Sequence, residues 1–129
     1  MERKKTAPKK PPPVVSAAAS KPARAPRPGA RVRGSSRGRP VMALLDLLGR
    51  RWTLRVAWEL RGEPLLFREL QQRCGISPSV LNTRLTELRQ AGLVEAGEGG
   101  YTLSGLGREL LELLLPVDRW AERWAEALR

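Results

Sequence analysis

The stretch Gly75-Ile76-Ser77-Pro78-Ser79-Val80-Leu81-Asn82-Thr83-Arg84-Leu85-Thr86-Glu87-Leu88-Arg89-Gln90-Ala91-Gly92-Leu93-Val94 reads as one helix with both ends written out. Ser77 is a good N-cap, because its hydroxyl can accept from a first-turn amide that has no helical partner. Pro78 stands at the first helical position, where a missing N–H is harmless. Gly92 supplies the left-handed residue that stops the helix. Leu81, Leu85 and Leu88 recur at helical spacing and define the inner side. At about 100° per residue the outer side holds Ser79, Thr83, Thr86 and Gln90, with Asn82 and Arg84 on its shoulders. These side chains are short, neutral and hydrogen-bonding, as a surface that approaches base edges closely must be. A merely solvated helix also has a polar outside, so the neighbouring elements have to decide between the two.

The chain has 129 residues, room for one domain and an appendage. No run of about 18 apolar residues is present, so no transmembrane span is expected, and the N-terminus lacks the apolar centre of a secretory signal. With one Cys and no His, the ordinary zinc sites and His-based catalytic triads are ruled out. A lone Cys forms no internal disulfide, which fits a reducing interior. The net charge of +11 is unevenly placed. Residues 1–40 hold 12 Lys and Arg against one acid, Glu2, whereas residues 41–129 hold 12 of each sign. The high pI therefore belongs to the leader.

Residues 1–40 are Lys, Arg, Pro, Ala, Ser and Gly almost throughout, with Val14, Val15 and Val32 the only sizeable apolar side chains. Such a segment buries too little surface to offset its ordering entropy and is expected to be disordered. Its Lys-Lys, Pro-Arg and Arg-Gly units favour phosphates through counterion release, without sequence preference. A solubilising tail, a targeting extension, or an upstream reading of a gene that starts at Met42 would account for the same composition.

From Val41 the composition changes. Val41, Leu44, Leu45 and Leu48 form one stripe, and Met42, Ala43 and Leu47 leave little polar surface elsewhere. A short helix apolar on more than one side needs two partners. A second helix, about Arg51 to Arg61, is apolar nearly all round except for Arg55 and Glu59, an i,i+4 pair. Pro64-Leu65-Leu66 can pair at the edge of a small sheet. Phe67, Leu70 and Cys74 mark one face of a third helix stopped by Gly75. A helix, a short turn with Gly, and a helix with a polar outer face describe a helix-turn-helix. Leu93 to Ala96, a Gly97-Glu98-Gly99-Gly100 tip and Tyr101-Thr102-Leu103 then read as a hairpin. The expected fold is mainly α with a small β-hairpin, a winged helix-turn-helix over residues 41–129.

Ser104 can cap the last helical stretch. Leu106, Leu110, Leu113, Leu114, Val117, Trp120, Ala121, Trp124 and Leu128 fall within an arc of roughly 120°, and Pro116 predicts a kink or a break into two helices. Packing over the domain would cover part of this surface. A second copy covers all of it more economically, so a two-fold dimer is expected through Leu44 and Leu48 of the first helix and Leu110, Leu114, Val117, Trp120 and Trp124 of the last.

From about Leu44 to Leu128 the chain resembles the HxlR-type winged helix-turn-helix regulators of bacteria. The matching pieces are Leu47-Leu48-Gly49-Arg50-Arg51-Trp52-Thr53-Leu54, Trp58-Glu59-Leu60 and Phe67-Arg68-Glu69-Leu70. The 75–94 stretch, Tyr101-Thr102-Leu103-Ser104, Leu106-Gly107-Arg108 and Trp120-Ala121 complete them. The resemblance implies a cytoplasmic, nucleoid-associated transcription factor, homodimeric through its first and last helices, that puts its recognition helix into successive major grooves of a roughly palindromic operator. By position, Ser79, Asn82, Thr83 and Thr86 are base-facing candidates, and Arg51, Arg68, Ser77 and Arg84 are phosphate-contact candidates. Glu87 either accepts from a cytosine amine or pairs with a nearby Arg. Two departures stand out. Some members sense oxidants through a Cys near the first helix, and here the lone Cys74 is spaced to face the core. The family wing is usually basic, whereas residues 95–101 hold Glu95 and Glu98 and no Lys or Arg. The Arg-rich 31–39 segment is a candidate replacement at a minor groove.

The leading expectation is a sequence-specific, dimeric DNA-binding regulator whose partners are double-stranded DNA and a second copy of itself. An architectural binder driven by the basic leader and a winged helix used for protein interaction are the alternatives. No enzyme, metal or cofactor is expected, since no nucleophile–base pair, metal set or phosphate loop is present. Nothing names an effector.

Overall fold

A computed structural model describes residues 25–28 and 39–129. The expected disorder of residues 1–40 falls for the most part outside the described residues. The order of elements is α1 (Pro40–Leu48), α2 (Thr53–Glu59), α3 (Phe67–Cys74), α4 (Pro78–Gln90), β1 (Val94–Gly97), β2 (Gly100–Leu103) and α5 (Gly105–Ala127). This is the winged helix-turn-helix order.

α2 is the central helix. Val56, Ala57 and Leu60 are buried, and α2 packs against α1, α3, α4 and α5. It is shorter than the expected Arg51 to Arg61. Trp52 adopts a left-handed backbone with φ 77°, which keeps Arg51 and Trp52 in the turn that follows α1. The half-buried indole packs against the core, under the Arg51 guanidinium 5.2 Å from its ring centre. Packing thus holds a conformation that a bulky residue seldom adopts. The Arg55–Glu59 pair forms at 3.0 Å, and Arg55 Nη2 donates to the Arg73 carbonyl at 2.8 Å. That second bond ties α2 to the last turn of α3, just ahead of the left-handed Gly75 that turns the chain into α4.

β1 and β2 pair antiparallel from Val94↔Leu103 to Gly97↔Gly100. Leu65 adds a third edge: its N–H donates to the Tyr101 carbonyl at 3.0 Å, and the Tyr101 N–H returns to Leu65 at 2.7 Å. Gly100 has φ 118°, and a Cβ there would run into the Leu65 carbonyl, so only glycine fits where the wing meets this bridge.

Ser104 caps α5 by accepting from the Gly107 N–H at 3.0 Å, while its own hydroxyl donates to the Gly92 carbonyl at 2.6 Å. The break expected at Pro116 is absent, and α5 runs unbroken from Gly105 through Ala127. Eleven residues follow the proline within the helix, enough turns to outweigh one lost hydrogen bond. Only Gly107 and Leu111 of this helix are buried. The distal half therefore does not fold back over the domain.

Candidate nucleic-acid interface

The candidate reading surface is built from the ends of α4 inward. Ser77 Oγ accepts from the Val80 N–H at 3.2 Å, and Pro78 starts the helix. Leu81, Leu85 and Leu88 are buried against α2 and its neighbours. Across the helix, Ser79 is exposed and Asn82, Thr83 and Thr86 are partly exposed. Thr83 Oγ1 donates to the Ser79 carbonyl at 3.0 Å, which fixes its rotamer and leaves the oxygen lone pairs available as acceptors.

The shoulder of the helix is organised differently from what its sequence conveys. Glu87 is buried, with 4% exposure, as deep as the leucines beside it. Its carboxylate accepts from Arg50 Nη1 at 2.8 Å and from Arg84 Nη1 at 2.6 Å. Arg50 Nη2 also reaches Asp46 Oδ2 at 3.3 Å. Asp46, Arg50, Glu87 and Arg84 thus form an alternating chain of charges from α1 to α4. Of the two roles open to Glu87, pairing with arginine is the one observed. Arg84 is thereby engaged on the protein side, with a side chain only 20% exposed.

The other three phosphate-contact candidates lie on the surface. Arg51 stands at the α1–α2 turn, Arg68 in the first turn of α3, and Ser77 at the α4 N-cap, all exposed. Where α4 ends, an open groove of about 560 Å³ separates it from β1, lined by Thr86, Arg89, Gln90, Val94, Glu95 and Ala96. The wing beyond it exposes Glu95 and Glu98. Tyr101 is buried, and burial pushes its phenol up from the ordinary value, with Arg89 pulling partly the other way.

Cys74 is buried at the end of α3, as its spacing predicts. Burial pushes the thiol up; Arg55 opposes that and Glu59 adds to it. A thiol held protonated is a poor nucleophile. Among the described residues no cluster of His, Cys, Asp and Glu could hold a metal ion, and no helix is long and apolar enough to cross a membrane.

The distal half of α5 is bare. Val117, Trp120 and Trp124 are each about 55% exposed, and Leu113 and Leu128 more so. The Trp120 and Trp124 rings stack with centroids 6.2 Å apart and planes 8° from parallel. Val41 and Leu45 of α1 are also exposed. Leu44, Leu48, Leu110 and Leu114 are half-buried, and Leu110 packs against the core.

The HxlR-like helix-turn-helix family matches residues 47–129, which is most of the chain. The protein belongs to the HxlR-like family. A curated relative, an uncharacterized HTH-type transcriptional regulator of Methanocaldococcus jannaschii, is 28% identical over 91 residues, covering 67% of this chain and 86% of the relative. The crystal structure of quinone-bound YodB from B. subtilis superposes with a TM-score of 0.61 at 30% identity, covering 64% of this chain and 94% of that one. The HxlR-like assignment makes this protein a DNA-binding transcriptional regulator of the winged helix-turn-helix type.

Proposed function

We propose that this HxlR-like protein acts in the cytoplasm as a homodimer, clasped through α1 and α5, and reads a roughly palindromic operator with one α4 in each of two successive major grooves. The observation that carries the proposal is the unburied stripe of Val117, Trp120 and Trp124 on α5. A contiguous apolar surface with two stacked indoles is far from what a free monomer leaves in water. A two-fold axis would place each copy's stripe against the other's, continuing through Leu110 and Leu114 to Leu44 and Leu48 of α1.

Ser79, Asn82, Thr83 and Thr86 then meet base edges, while Arg51, Arg68 and the Ser77 N-cap grip phosphates on either side. Arg84 is the most constrained of the phosphate candidates, because Glu87 already holds one of its nitrogens. YodB was solved with a quinone bound. For this chain we infer that any such signal is not read by Cys74, whose thiol is buried and held protonated.

The proposal is tested by Trp120→Glu, which places a charge where the isolated protomer has open space. The variant is expected to keep the circular dichroism of the parent, sediment as a monomer and lose preference for operator over bulk DNA. Sedimentation as an unchanged dimer would refute this interface.

A further inference from the structure

Residues 25–28, Ala-Pro-Arg-Pro, lie beside the recognition helix although they are far from it in sequence. The Ala25 N–H donates to Gln90 Oε1 at 3.0 Å. Ala25 and Pro26 are buried, while Arg27 and Pro28 are exposed. Gln90 is the last residue of α4. At about 100° per residue it projects between Ser79 and Thr83 when the helix is viewed end-on. The contact therefore sits on the outward face at its C-terminal end. Helices of this kind read bases mainly with their N-terminal residues, so Ser79 and Thr83 stay open.

Two further features bear on what the contact is for. Pro26 and Pro28 fix φ on either side of Arg27, so the segment loses little conformational freedom when it is held. The wing next to Gln90 carries Glu95 and Glu98 and no cation, whereas residues 1–40 carry 12 Lys and Arg. Arg27 lies within the held segment, and Arg24 adjoins it in sequence.

We propose that Gln90 is the anchor of the basic leader. The Ala25–Gln90 hydrogen bond holds residues 25–28 at the end of α4 and keeps the exposed Arg27 beside the proposed DNA-reading face. The role rests on the reading of α4 given under Proposed function; the docking itself does not. Anchoring turns the leader's phosphate contacts into intramolecular events at high effective concentration, each adding to the salt dependence of binding.

The test uses the full chain in two steps. Without DNA, the Ala25 amide of the parent protein should exchange at least about tenfold more slowly than in a coil, and Gln90→Leu should abolish that protection. Coil-like exchange in the parent would overturn the docking. With a random-sequence duplex, Ala25→Pro removes the donor but no charge. It should weaken binding about threefold or more and flatten the salt dependence. Unchanged binding would overturn the anchoring role, and so would tighter binding, which would mean that the segment covers the reading face. If the parent shows no operator preference but Ala25→Pro still flattens the salt dependence, the reading of α4 fails while the anchor stands.

Discussion

Glu87 sits between two arginines in a place where an unpaired carboxylate would be costly. Truncating one partner of a buried ion pair strands the other charges, typically at about 3 kcal/mol or more. Glu87→Ala should therefore lower stability by about that much in denaturant titrations at an unchanged m-value. A loss below about 0.5 kcal/mol, the range of ordinary surface substitutions, would mean the cluster is not structural. The residues of the proposed reading face should behave otherwise. Thr83→Ala is expected to alter which sequence is preferred, while Arg68→Ala weakens all sequences alike and reduces the salt slope by about one. Equal losses on every sequence for both variants would reverse these assignments. Cys74 and Tyr101 share one pH signature. Burial raises both above their ordinary values, near 9.0 for the thiol and 10.0 for the phenol. The unfolded chain therefore gives up these protons first, and the stabilisation present below those values is lost as pH rises through the folded ones. Cys74→Ala should shrink the alkaline loss of stability, as read from melting temperatures across that range. Little at this scale was legible in the sequence beyond helical spacing. Leu81, Leu85, Leu88 and Cys74 are buried where their periodicity puts them, because periodicity is a local signal. Sequence alone leaves Glu87 ambiguous because its second partner, Arg50, is 37 residues away.

Among the elements, α4 was the most readable, since Ser77, Pro78 and Gly92 mark its ends through contacts within a few residues. The hairpin is readable from its glycines, and Pro64-Leu65-Leu66 carries the signal of the edge contact that Leu65 makes with it. The start of α2 was not. A left-handed tryptophan runs against local preference and persists only because tertiary packing holds the ring. For α5, a proline marks a possible break by local chemistry alone, whereas continuity through Pro116 depends on the turns on either side of it. The wing yields a prediction at this scale. Gly100→Ala adds a Cβ against the Leu65 carbonyl at a positive φ. It should destabilise the protein by about 2 kcal/mol or more and loosen the Leu65–Tyr101 bridge. Amide exchange at Tyr101 would report this, and exchange as slow as in the parent would show that the bridge tolerates the change.

The whole molecule divides its surfaces by chemistry. The outer face of α4 is neutral, with its frame tied to α1 through Arg50 and Glu87. The distal half of α5 presents bare indoles. The Asp46–Arg50–Glu87–Arg84 chain joins the helix proposed to pair with a second copy to the helix proposed to read DNA, so in the proposed dimer rigid elements would set the spacing of the two α4 helices. The central claim is that two such helices act together. Selection of bound fragments from random duplex DNA by the full chain tests it most directly. The account predicts enrichment of an inverted repeat whose half-sites are centred about 10–11 base pairs, or a small multiple of that, apart. Enrichment of a single unpaired half-site, or of no motif at all, would contradict it.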